Sequence, residues 1–393
     1  MKKVLANEYT ERGGRRHFLA RNGRRIDERC SQIILSRMPR PVEAIIELEA
    51  LRNNVAVAKR HAGSAGLLAV VKANGYGHGL GRIVPGLEAA DGFAVIELES
   101  ALRIRTSGIG KPVLLLEGFF DETELAEASR HGLSTVVHEH GQVQMLANAS
   151  LERPLDVFLK VNTGMNRLGF ALGEMADVHA KLKSSANVRK LILMTHFADA
   201  DGERGVAWQL GPFERIASSL AMKTCAANSA ALLRYPESCG AWVRPGIMLY
   251  GASPFEDTTA VELGLRPVMT LRSQLIGVQH LEAGDSVGYA CTFTADRPMR
   301  IGVVAAGYGD GYPRHAPSGT PMLVNGKLCR TIGRVSMDTA CVDLDGVPEA
   351  GVGSAVTLWG EGLPVEQVAA WAGTVSYELF TKVTARVPFR VVS

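Results

Sequence analysis

The apolar run LLAVV (67–71) delivers its last step onto Lys72, and ANGYGHG (73–79) follows with two small turn formers, a tyrosine and three glycines. A lysine raised from the end of a dry strand loses hydration, which lowers its amine pKa. More of it is then free amine, the form that makes a Schiff base with an aldehyde. Ala73 and Asn74 turn the chain, and the glycines let backbone approach a ligand closely. Tyr76, four residues on, sets over the same place a hydroxyl that can bond a phosphate. A lone lysine in such a setting is more often a surface residue in a glycine turn, so the motif needs company.

Other chemistry-bearing residues point elsewhere less firmly. His138 and His140, in VVHEHG, alternate at a strand end but lack a third ligand nearby, which disfavours a metal site. GYGDGYP (307–313) is glycine-rich without P-loop spacing and assigns no nucleotide. Cysteines 30, 225, 239, 291, 329 and 341 form no CxxC pair and read as reduced thiols of a cytoplasmic protein.

The elements that must position Lys72 recur along the chain. Apolar runs at 67–71, 92–96, 113–116, 134–138, 156–161, 191–196, 224–228 and 242–251 alternate with amphipathic segments such as ETELAEASRHG (122–132). Eight such runs predict an α/β fold whose parallel strands close into a (β/α)8 TIM-type barrel. Lys72 then lies at the carboxyl end of the first barrel strand, on the face where barrels carry chemistry. After residue 260 the pattern turns to β-like runs and turn signals, with helical periodicity returning at VEQVAAWAG (365–373). Asn325-Gly326 between apolar runs predicts a type I′ hairpin. The expected organisation is a disordered basic tail over 1–37, a barrel over 38–260, and a mainly antiparallel β domain over 261–393, with 42–48 a candidate strand for it.

The 393 residues suit two domains. The net charge of +3 belongs to the tail: residues 1–37 hold ten Lys/Arg against four Asp/Glu, so the remaining 356 carry about −3. Nucleic-acid binding is therefore not expected of the body. RRHFLA in the tail lacks a following apolar stretch, which argues against export, and no run is long and apolar enough to span a bilayer.

Taken together, VVKANGYGHG (70–79), KVNTGMNRLGF (160–170), THFADAD (195–201), ANSAA (227–231), VRPGIMLYG (243–251), VGY (287–289), AAGYGDGYPR (305–314), GRVSMD (333–338) and SYE (376–378) resemble, in order, the motifs of the alanine racemases. The resemblance runs from about residue 39 to the end. It implies a barrel followed by a β domain, and interconversion of L- and D-alanine for cell-wall (peptidoglycan) supply or alanine catabolism. It also implies that Lys72 carries pyridoxal 5′-phosphate. By the same likeness the phosphate is held by Tyr76, Ser229, the amides of Gly246 and Ile247, and Tyr377, with Asn228 and His196 in the cofactor set. Ser229 and the 246–247 loop follow the last two expected strands, where barrel phosphate sites form; Ser229 also reads as the N-cap of AALLRY.

Arg244, in the family, faces the pyridine nitrogen; a guanidinium keeps its proton and leaves the ring a weaker electron sink. Taken alone, Arg244 reads equally as a rim ion pair. Removing Cα–H from one face and returning it to the other asks for two bases, and the likeness names Lys72 and Tyr289. A phenol with a pKa near 10 needs a cationic or hydrogen-bonding neighbourhood, which the family provides through His196 and Arg244. Tyr289 there serves the barrel of the other subunit, implying a head-to-tail homodimer with shared sites. Arg167 and the backbone of Met337 match the carboxylate pair. Lys160, carbamylated in some members, braces Arg167; Asp338 orients groups near Tyr289. Tyr308 and Tyr377 match an aromatic gate that admits alanine. Three alternatives stand beside this reading. A broad-specificity amino-acid racemase would carry a wider gate and an export signal. A fold-related decarboxylase of basic amino acids would carry cysteine at the Met337 position. A cofactor-holding barrel without turnover would lack the β domain.

Overall fold

Strands of a closed parallel barrel are covered on both faces, and they need to be apolar throughout rather than alternating. The computed structural model, which describes residues 40–393, forms its barrel mostly from such stretches, with polar, exposed residues near the starts of β7 and β8: β2 (Gly66–Val70), β3 (Gly92–Val95), β4 (Val113–Leu115), β5 (Ser134–Val137), β6 (Leu155–Lys160), β7 (Val188–Met194), β8 (Lys223–Cys225) and β9 (Trp242–Val243). They pair in parallel in chain order, and β9 returns to β2 through Gly66↔Trp242 and Leu67↔Val243. That seam needs glycine: a Cβ on Gly66 would lie 2.5 Å from the Trp242 ring. The outer layer is α1 (Leu48–Ala62), α2 (Leu98–Thr106), α3 (Glu122–Arg130), α4 (His140–Asn148), α5 (Met175–Ser184), α6 (Ala207–Ser219) and α7 (Ser229–Arg234). Asp121 caps α3 by accepting the Glu124 amide at 2.8 Å.

The expected eighth strand over 242–251 is shorter than the apolar run. Only Trp242 and Val243 pair; Ile247–Tyr250 form a 3-10 turn. Pro245 has no N–H for a ladder, and it breaks the strand there. After β2 the chain likewise forms no full helix. It winds through a left-handed turn and a single turn at Leu80–Ile83.

The second sheet runs β13 (Met299–Val304), β16 (Ala340–Asp343), β15 (Lys327–Ile332), β14 (Pro321–Val324), β17 (Ala355–Trp359), β10 (Met269–Leu281), β1 (Glu43–Glu47), β18 (Phe389–Val392). Its pairs are antiparallel except β1 with β18. The N-terminal run expected at 42–48 is thus a strand of this sheet, bonded to β10. Asn325 and Gly326 have φ of 49° and 78°, the left-handed pair a type I′ hairpin needs. Two elements were not anticipated: the thirteen-residue β10, and helix α9 (Ser376–Lys382), which follows α8 (Val365–Trp371). A small hairpin, β11 (Ser286–Val287) with β12 (Phe293–Thr294), carries Tyr289 in its connection.

Val42–Ser393 form one compact unit. The expectation that 1–37 is disordered falls outside the described residues. Among the described residues no helix is long and apolar enough to cross a membrane, and no group of His, Cys, Asp or Glu could hold a metal.

Candidate active site

The carboxyl ends of the barrel strands surround a cavity of about 250 Å³. Lys72 lines it, two residues past Val70 at the end of β2. Burial pushes its amine pKa below the ordinary lysine value, reinforced by the positive charge of Arg167 and opposed by Glu117 and Glu97. Beyond it the backbone winds left-handed, with φ of 51° at Ala73, 54° at Asn74, 65° at Gly75 and 50° at Tyr76. Such conformations cost non-glycine residues on the order of 1–3 kcal/mol each and gather at functional sites. Here they are held from within. Asn74 Oδ1 accepts the Leu80 amide at 2.9 Å, and buried His78 Nδ1 lies 2.9 Å from the Tyr76 carbonyl and 3.1 Å from that of Gly75. A ring nitrogen facing two carbonyls carries the proton and donates.

The turn aims Tyr76 into the cavity. Its ring stacks on buried Tyr250 at 4.6 Å and meets Tyr377 at 5.9 Å. Burial, then the neighbouring Tyr377, pushes the Tyr76 phenol well up. Burial, then Asp201, pushes Tyr377 up to about 12. Both remain O–H donors at neutral pH. Opposite them, Ser229 Oγ accepts the amides of Gly246 at 2.8 Å and Met248 at 3.4 Å, leaving its own hydroxyl proton to donate. The cap of α7 is Asn228, whose Oδ1 accepts the Ala231 amide at 3.0 Å; Ser229 is the first helical residue rather than the cap. Gly246 is a true cradle, since a Cβ there would sit 2.4 Å from the Tyr76 hydroxyl oxygen.

Arg244 is 4% exposed, and it is no rim ion pair. Its guanidinium donates to the carbonyls of Cys225 (2.8 Å), Thr195 (2.9 Å) and Ala226 (3.2 Å), to Cys225 Sγ (3.1 Å), and to His196 Nδ1 (3.3 Å). Because arginine can only donate, His196 Nδ1 accepts and its Nε2 carries the proton. Burial, then the charges of Arg244, Arg167, Lys160 and Lys72, hold His196 well below the usual imidazole value, so it is neutral. Lys160, at the end of β6, is 6% exposed. Burial first, then Arg244 and Arg167, lower its amine to about 8. Arg167 lines the cavity from the 162–170 loop, where Asn162 Oδ1 accepts the amides of Gly164 and Asn166 at 3.0 Å. Four cations line the cavity (Lys72, Lys160, Arg167, Arg244) against two carboxylates (Glu117, Asp201). That balance suits a ligand with two anionic groups.

Of the residues singled out in the sequence, Lys72, Tyr76, Lys160, Arg167, His196, Asn228, Ser229, Arg244, Gly246, Ile247 and Tyr377 line one pocket. Tyr289, Tyr308, Met337 and Asp338 do not. Tyr289 is 70% exposed and Met337 52% exposed. They lie on adjoining loops: the amides of Tyr308 and Gly309 donate to the carbonyls of Ser336 (3.0 Å) and Met337 (2.8 Å), and Gly288 abuts Arg334. Ala290 and Cys291 are also left-handed, with φ of 62° and 48°, and they leave Tyr289 at the crest of a strained turn. Asp338 accepts from Arg386 at 2.7 Å, and the same guanidinium donates to Asp310. Glu117, Asp201 and Tyr250 were missed in the sequence. Glu117 had a signal, since it ends the run VLLL as Lys72 ends LLAVV.

The family model "Alanine racemase, N-terminal domain" matches residues 46–254, and "Alanine racemase, C-terminal domain" matches 268–391. The chain belongs to the alanine racemase family. An alanine racemase of Nitrosomonas europaea is 54% identical over 356 residues, covering 89% of this chain and 98% of that protein. One from Thiobacillus denitrificans is 56% identical over 353 residues, covering 90% and 96%. The crystal structure of biosynthetic alanine racemase from Pseudomonas aeruginosa superposes with a TM-score of 0.87 at 47% identity, covering 90% of this chain and all of that one. Alanine racemases depend on pyridoxal 5′-phosphate, and the residues here fit that group. An amine of lowered pKa stands at one end of the pocket. Three hydroxyl donors and a cradle without a Cβ stand where a phosphate would lie.

Proposed function

We propose that this chain interconverts L- and D-alanine, with Lys72 serving one face of the substrate and Tyr289 of a second copy serving the other. The observation that carries the two-copy reading is the incompleteness of the pocket. Lys72 lines it, whereas Tyr289 stands 70% exposed outside it, beside exposed Met337 and Tyr308. Large exposed side chains grouped on one face suit a protein interface. A head-to-tail pair would bring that face to the other copy's barrel mouth.

Bound pyridoxal 5′-phosphate supplies the electron sink that makes the Cα–H of an attached amino acid acidic. The chain's own residues do the rest. Lys72 would hold the aldehyde and, with its amine free, would take or return the proton at Cα. Tyr289 does the same across the substrate. Tyr76, Tyr377 and Ser229 would hold the phosphate through hydrogen bonds from their hydroxyls, with the Gly246 and Ile247 amides beside them; Asn228 holds the helix end that carries Ser229. Arg244 is assigned to the ring nitrogen. It donates a hydrogen bond but no proton, and His196 joins it to the network around the second base. Arg167 and the Met337 amide of the second copy would bind the substrate carboxylate, and Asp338 sets the loop that carries Met337. Tyr377, with Tyr308 of the second copy, would narrow the entry and restrict the side chain to a methyl. Lys160, with a pKa of about 8, holds a larger share of its amine neutral than an ordinary lysine does, and that is the form that takes up carbon dioxide; its carbamate would brace Arg167. The five free cysteines among the described residues support a cytoplasmic setting. The barrel over 38–260 and the β domain over 261–393 would be the two working halves.

Purified protein should be yellow, and borohydride should fix the cofactor on the Lys72 peptide. In deuterium oxide L-alanine should exchange its Cα hydrogen and yield D-alanine. Tyr289→Phe should keep the colour and lose turnover; full activity in that variant would sink the assignment.

A further inference from the structure

The pocket holds a carboxylate to which racemisation, as described, gives no role. Glu117 follows β4, and its half-buried side chain lines the cavity with Lys72, Lys160 and Arg167. The other acid, Asp201, acts on Tyr377. The Glu117 peptide is gripped from the next barrel unit. Its carbonyl accepts from His138 Nε2 at 3.0 Å and from Gln142 Nε2 at 3.1 Å. Buried Gln142 also donates to the Phe119 carbonyl at 3.2 Å, and its Oε1 accepts the His138 amide at 2.9 Å. Gly118 has φ of 82°, and a Cβ there would lie 2.4 Å from both Gln142 Nε2 and the Val136 carbonyl. The backbone at Glu117 is thus fixed by several polar contacts and, at Gly118, by a close approach that only glycine allows. His138, in the VVHEHG motif, is accounted for here as one jaw of a clamp.

We propose that Glu117, on a backbone held by the His138–Gln142 clamp and lining the same cavity, is the counter-charge of the Lys72 amine and, wherever it is not carbamylated, of the Lys160 amine. The proposal rests on the racemase reading and deepens it. The charged groups around each amine show why one acid matters. Arg167 faces Lys72 and disfavours its protonation, while Glu117 and Glu97 favour it. Arg244, Arg167 and Lys72 bear on Lys160, and Glu117 alone opposes them. Glu97 is exposed at the start of α2 and is screened by water. A lysine that takes a proton from Cα and hands it back needs an ammonium form of moderate cost. Burial and the arginines raise that cost, and Glu117 reduces it. It acts through the lysines and so is a positioning residue.

The test uses full-length protein stripped of cofactor. Acetic anhydride is pulsed across a pH series, and labelling midpoints of Lys72 and Lys160 are read by peptide mass spectrometry. Glu117→Gln should lower both midpoints by about half a pH unit or more, in line with one nearby opposite charge removed. Glu117→Asp, which keeps the charge, should recover most of the shift. Glu97→Gln should leave Lys160 unchanged. Midpoints equal in wild type and Glu117→Gln overturn the proposal, as does Glu117→Asp behaving like Glu117→Gln. Failure of the racemase reading shows separately, as borohydride fixing no cofactor on Lys72 whatever the midpoints.

Discussion

Replacing Gly246 by alanine perturbs the cradle that follows β9. The new Cβ would lie 2.4 Å from the Tyr76 hydroxyl oxygen, where ordinary contact begins at 3.4 Å; the phenol must retreat by 1.0 Å, the difference. Little space receives it. The ring is stacked on Tyr250 at 4.6 Å, bounded by Tyr377 at 5.9 Å, and rooted in a left-handed turn with φ of 50°. Overpacking of this kind costs about 1–3 kcal/mol of stability. A hydroxyl swung off a bound phosphate gives up a hydrogen bond to a charged group, worth about 1.5–3 kcal/mol. At about 1.4 kcal/mol per tenfold, the second effect alone weakens cofactor binding roughly 10- to 150-fold. Titration of stripped protein with pyridoxal 5′-phosphate, followed by absorbance, gives Kd; the Tm of the stripped protein reports the overpacking separately. A lowered Tm with unchanged Kd would refute Tyr76 as a phosphate donor. An unchanged Tm would refute the packing geometry.

Three further outcomes follow from the same contacts. Lys160 releases its proton near pH 8 in the folded protein and near the ordinary 10.5 when unfolded, so the unfolded chain binds more protons between those values and stability rises with pH across that window. Lys160→Met should flatten that rise in denaturant titrations; parallel curves would refute it. Arg244→Lys loses the forked set of bonds to Cys225, Thr195 and Ala226, and should cost about 1–3 kcal/mol of stability and raise the share of turnovers that end in pyruvate, measured by coupled assay. Arg386→Ala removes the guanidinium that bonds buried Asp310 and Asp338 at 2.7 Å each, and should lower Tm and raise KM for alanine more than it lowers kcat.

Why some of this was legible in the sequence and some not has physical reasons. Barrel strands buried on both faces leave continuous apolar runs, and β2 to β8 stand where those runs are. Their ends mark the chemical face, which is how Lys72 and Lys160 could be placed. The eighth run overshot because hydrophobicity says nothing of the missing N–H at Pro245. In β10, buried Leu271, Ser273 and Leu275 alternate with exposed Arg272, Gln274 and Ile276, and the mixture of polar inside and apolar outside blurs a period of two. Left-handed Asn74 and Gly75 are turn residues by type, whereas Ala73 and Tyr76 rarely adopt that conformation and gave no sign of it. The Glu117 clamp joins residues 21 and 25 apart in the chain, and only the closed barrel brings them together.

The central claim is that each site draws Lys72 from one copy and Tyr289 from another, and subunit mixing tests it most directly. Lys72→Ala and Tyr289→Phe proteins, each inactive alone, are unfolded together, refolded with pyridoxal 5′-phosphate and assayed for D-alanine formation. Shared sites predict that half the dimers are hybrids with one intact site of two, restoring about a quarter of wild-type activity. A mixture as inactive as its parents would contradict the account.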